Sequence, residues 1–69
     1  ETSIKEYEMA LYDWEEATKR DPDNTDYQLS YIDVLIRLGR NDAARRELDK
    51  LSRRGVNQGA LRAFYKRIK

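Results

Sequence analysis

The sequence predicts an all-α protein of about four helices, arranged as antiparallel helix-turn-helix pairs stacked into a short solenoid. Three observations carry that prediction. Apolar residues recur at steps of three and four, Pro and Gly punctuate the pattern at regular places, and the whole pattern returns after 34 residues.

The first helix is expected over about residues 3 to 19. Ile4, Tyr7, Ala10, Trp14 and Ala17 share one face, while Glu6, Glu8, Asp13 and Glu16 point elsewhere. Asp21-Pro22-Asp23-Asn24 ends it, because Pro22 disfavours helical backbone at Asp21 and Asn24 or Thr25 can cap the next helix. The second helix, about residues 25 to 38, has Tyr27, Tyr31, Val34, Leu35 and Leu38 on one side and Leu29, Ile32 and Ile36 on another. Apolar residues nearly surround it, which suits a helix held between two neighbours. Gly39 supplies the left-handed residue past its end, and Asn41 is expected to cap the third helix. That helix, about residues 41 to 53, sets Ala44, Leu48 and Leu51 in a stripe, with Asp42 and Arg46, and Asp49 and Arg53, expected to pair across one turn. After Gly55-Val56-Asn57, a fourth helix from about residue 58 presents Leu61, Phe64, Tyr65 and Ile68.

A shift of 34 residues lays Ala10, Trp14 and Ala17 on Ala44, Leu48 and Leu51, and Tyr27, Tyr31 and Val34 on Leu61, Tyr65 and Ile68. The punctuation recurs too, Asp23-Asn24 falling on Asn57-Gln58. In this period, in its short loops and in its Ala-x3-large spacing, the chain resembles the tetratricopeptide repeat family, whose unit is a pair of antiparallel helices stacked into a superhelix. The resemblance implies three parts. Residues 1–24 hold the second helix and closing turn of a first repeat, residues 25–58 a complete repeat, and residues 59–69 the opening helix of a third repeat or a cap on the stack. Three positions depart from the family pattern: Gln28 where Trp is frequent, Ile32 where a small residue is preferred, and Val56 where Pro is usual. A bulky Ile32 needs a small residue opposite, and Ala43 or Ala44 is the candidate.

Composition limits what such a stack can do. The 69 residues are 39% hydrophobic and 39% charged, enough for one small domain or part of one with a thin core. Without Cys or His there is no disulfide framework, thiolate zinc site or thiol nucleophile. The longest uncharged stretch, Gly55 to Leu61, is far below the roughly 20 apolar residues of a membrane span. A first residue of Glu1 rather than Met suggests a piece of a larger protein, and the compartment is left open. The net charge of +1 conceals a division. Residues 1–26 hold nine acids and three bases, a net of −6, and residues 27–69 hold four acids and eleven bases, a net of +7.

No catalytic pattern stands out. Glu15-Glu16 and Asp21 with Asp23 read as solvated helix exterior and capping, Gly39, Gly55 and Gly59 form no phosphate loop, and Pro22 defeats a calcium loop at Asp21-Asp23-Asn24. No cofactor or metal is expected. Tyr7, Trp14, Tyr31 and Tyr65 read as packing residues, with Tyr12 and Tyr27 more exposed. By the family's geometry the first helix of each pair lines the inner groove. The resemblance therefore implies that Leu29, Ser30, Asp33 and Arg37, with Ala63, Lys66 and Arg67 from the next repeat, face a bound peptide. Family members that grip a C-terminal carboxylate use Lys and Asn there. Leu29 and Asp33 instead suit a partner with an apolar residue and a base. The function implied is a non-catalytic scaffold for a protein or peptide partner. One alternative is a purely structural segment that packs on flanking repeats or self-associates through its end helices, acidic start against basic end. The other is RNA binding by Arg45, Arg46, Lys50, Arg53, Arg54, Arg62, Lys66, Arg67 and Lys69 with Phe64 or Tyr65, against which the cations are spread over several faces.

Overall fold

The computed structural model describes residues 3–68. Four helices run in order, α1 (Ile4–Arg20), α2 (Thr25–Arg37), α3 (Asn41–Arg53) and α4 (Gln58–Arg67), and each packs on the next. This is the all-α stack of short helices expected from the sequence. The body measures 33 × 30 × 18 Å, so its thin dimension is about two helix diameters.

Local chemistry sets each helix end. Ser3, Asn24 and Asn57 each accept a hydrogen bond from a backbone N–H three residues on, satisfying one donor that the first turn of α1, α2 or α4 leaves unpaired. Asn41 does not cap α3. It lies inside the helix, Arg40 holds the cap position, and no side chain closes that end. The ends of α2 and α3 share one device. Gly39 and Gly55 take φ of +77°, and the N–H groups of Gly39 and Arg40 bond Ile36 and Leu35 carbonyls, as those of Gly55 and Val56 bond Ser52 and Leu51 carbonyls. Two reversed bonds around a left-handed glycine stop each helix and turn the chain back.

The core is one cluster: Ile32 and Leu35 from α2, Ala44, Leu48 and Leu51 from α3, and Leu61 from α4. Ile32 and Ala44 both reach zero exposure in it, the large and small residues that close helix packing needs. The Gln28 side chain donates to the Pro22 carbonyl and accepts from Arg54, whose guanidinium also reaches Asp23, so the turn between α1 and α2 is tied to the turn between α3 and α4. α1 contributes no fully buried residue, and its Ile4, Met9 and Tyr12 are 72%, 63% and 64% exposed. The expected pairs of Asp42 with Arg46 and Asp49 with Arg53 do not form among the described residues. Lys50 pairs instead with Glu47, and Asp49 accepts from Tyr65, a neighbouring-helix partner that the α3 spacing alone did not reveal.

Candidate functional site

Asp33 and Arg37 sit one turn apart on α2, where the helix spacing brings their side chains together. Arg37 Nε donates to Asp33 Oδ2 at 3.0 Å, and Arg67 Nη1, from α4, lies 2.8 Å from the other carboxylate oxygen. One carboxylate therefore joins two helices through two guanidinium groups. Each guanidinium also lies beside an aromatic ring, Arg37 at 5.9 Å from the centre of Tyr7 on α1 and Arg67 at 5.5 Å from that of Phe64. The Arg37 side chain donates to the Tyr7 hydroxyl as well, at 3.3 Å. The outcome is a continuous row, Tyr7, Arg37, Asp33, Arg67 and Phe64, laid across three helices.

The row is electrostatically settled but reachable. Partial burial by itself would raise the Asp33 carboxyl; hydrogen bonds from Arg67 and Arg37, and their charges, outweigh it and hold the group below its ordinary value. The hydrogen bond to Asp33, then that to Tyr7, push the Arg37 guanidinium further up. Side-chain exposures of 31% for Asp33, 49% for Arg37 and 39% for Arg67 leave several guanidinium N–H groups open to solvent.

Of the residues expected to face a peptide, Asp33, Arg37 and Arg67 come together. Leu29 is packed against the core cluster, and Ser30 is half-buried on α2. Ala63 and Lys66 are exposed on α4, but at about 100° per residue Lys66 lies well round the helix from Arg67. The sequence pattern marked Tyr7 only as a packing residue and did not reveal its part in the row. A signal was nevertheless present for the rest, since Asp33 and Arg67 stand 34 positions apart and so put an acid and a base at equivalent places in successive repeats. Phe64 and Tyr65, candidates for stacking on bases, are engaged within the protein, Phe64 under Arg67 and Tyr65 through its hydroxyl to Asp49. Of the cations grouped with them, Lys69 lies outside the described residues.

Two further features share the same register. Tyr31 donates to Glu15 and Tyr65 to Asp49, each pair shifted by 34 from the other, and both hydroxyls are raised above the usual phenol value. For Tyr31 the cause is burial and then the nearby Glu15 and Glu47, and for Tyr65 the hydrogen bond to Asp49 and then burial. Away from the row, Ala10, Asp13, Trp14 and Ala17 of α1 and Tyr27 of α2 line an open cleft of about 380 Å³, with the Trp14 and Tyr27 rings 5.8 Å apart. Among the described residues there is no group of three or more carboxylates able to hold a metal ion.

Stacked helix hairpins whose contacts recur every 34 residues are a repeat architecture. A family model described as Tetratricopeptide repeat matches residues 5–68. The chain belongs to the tetratricopeptide repeat family. No curated protein and no solved structure matches it. As a tetratricopeptide repeat protein it carries a scaffold fold, suited in general terms to holding protein partners. None of its helices is long and apolar enough to cross a membrane among the described residues.

Proposed function

We propose that the chain is a non-catalytic interaction scaffold that receives a peptide or helix along α2 and α4, over the row centred on Asp33. The observation that carries this reading is the bridging carboxylate. Asp33 fixes two arginines from different helices at one spacing, and their unused N–H groups form a preorganised donor surface. A base on the partner is no longer the best match for Asp33, because both carboxylate oxygens already have partners within the chain. A segment offering carboxylates or backbone carbonyls to Arg37 and Arg67 fits better, with Ser30 and Ala63 supplying the floor and Leu29 supporting it from beneath.

An array of defined acidic, neutral and basic peptides tests the reading. Acidic peptides are expected to bind, and to lose about tenfold in affinity with Arg37→Ala or Arg67→Ala while helicity is unchanged. Equal binding of basic peptides, or indifference to both substitutions, would count against the surface.

A further inference from the structure

We propose that copies of this chain associate head to tail, α4 of one copy resting in the α1 cleft of the next. Of the α4 residues involved, Ala63 also borders the peptide surface, whereas Gly59, Arg62 and Lys66 lie off the row in which Asp33 holds Arg67.

By the 34-residue register α1 is equivalent to α3, and α2 to α4. α3 packs on α2 and on α4, and its Ala44, Leu48 and Leu51 are buried. α1 packs on α2, and the equivalent Ala10, Trp14 and Ala17 remain half-buried around an open cleft. The helix that would cover α1 as α3 is covered is thus of the α2 and α4 kind. α4 has the reciprocal need. Its equivalent, α2, packs on two helices, whereas α4 packs on α3. A second copy satisfies both requirements in one contact and continues the stack in register.

Charge then selects the pairing. Asp13 lines the cleft, and Glu6, seven residues earlier, stands on nearly the same side of α1. On α4, the positions equivalent to core-facing Ile32 and to Gln28 are Lys66 and Arg62, both exposed. Gly59 and Ala63 lie on that same exposed side and give room for the Trp14 ring. Aliphatic stems of Lys66 and Arg62 can cover the cleft while their charges meet the acids on its rim. The −6 and +7 halves of the chain reinforce that orientation at longer range. Such a contact joins unlike surfaces, so it adds copies in a line rather than closing on a two-fold axis.

Sedimentation equilibrium of the 69-residue chain, with circular dichroism to confirm that each variant is folded, tests this. At low salt the average mass should climb continuously with concentration, and the association constant should fall about tenfold or more in 1 M NaCl, where the screening length is only about 3 Å. Lys66→Glu and Asp13→Lys should each abolish association when alone, through repulsion, and recover it when mixed. Both sites are exposed, so neither variant depends on the core. A monomer at every concentration in low salt would overturn the proposal. So would a mass that stops at dimer and ignores salt, or a mixture that fails to recover.

Discussion

Asp33 shows how far a single carboxylate can constrain a surface. It is exposed enough to look available, yet both oxygens are occupied by guanidinium groups from α2 and α4. A coupling energy of about 0.5–1 kcal/mol is expected between Asp33 and Arg67 in a double-mutant cycle, the range of a well-oriented but solvent-accessible pair. Acid gives a sharper check. Because the folded carboxyl lies below its unfolded value, its contribution is complete above about pH 5 and is lost as pH falls through the unfolded and then the lower folded value. Asp33→Asn should remove that part of the acid sensitivity and flatten stability between about pH 5 and the acid limit, as read by denaturant unfolding at successive pH values. A stability profile unchanged by the substitution would show that the bridge does nothing in solution.

Helix ends were largely legible because they depend on a few neighbouring residues. Gly55 was legible only as a break between helices, whereas Gly39 could be read from residue type alone and Asn24 narrowed to one of two candidates with Thr25, since only certain side chains accept a left-handed backbone or bond an orphan N–H. Asn41 could not, because whether a capping residue stands at the cap or one place inside depends on how tightly the preceding turn closes. Here the bond from the Arg40 N–H to the Leu35 carbonyl keeps Arg40 in the turn and lets the helix begin at the next residue. Four substitutions separate these cases by thermal or urea unfolding. Asn24→Ala should cost about 1 kcal/mol, and Asn41→Ala close to nothing. Gly39→Ala should cost about 1–2 kcal/mol for its positive φ. Gly59→Ala should stabilise by about 0.5 kcal/mol, because its backbone is helical and the added carbon would meet Asn57 only at an ordinary 3.6 Å. Opposite signs at the two glycines are the decisive result.

At the scale of the whole molecule, the 34-residue period conveyed more than composition did. It anticipated the order of helices and their stacking in pairs. What it could not supply was the unequal treatment of equivalent residues: Leu48 is fully buried and Trp14, its counterpart, lies at the edge of a cleft. Burial depends on what covers a helix, and that is a property of the stack rather than of the repeat. The same inequality has an optical side. Trp14 is the chain's only tryptophan, and it sits on the one helix with no fully buried side chain. Its emission therefore reports the edge of the molecule, while far-ultraviolet ellipticity sums over all four helices. On heating, the tryptophan signal should shift several degrees before the ellipticity does, a separation that a single all-or-none transition forbids.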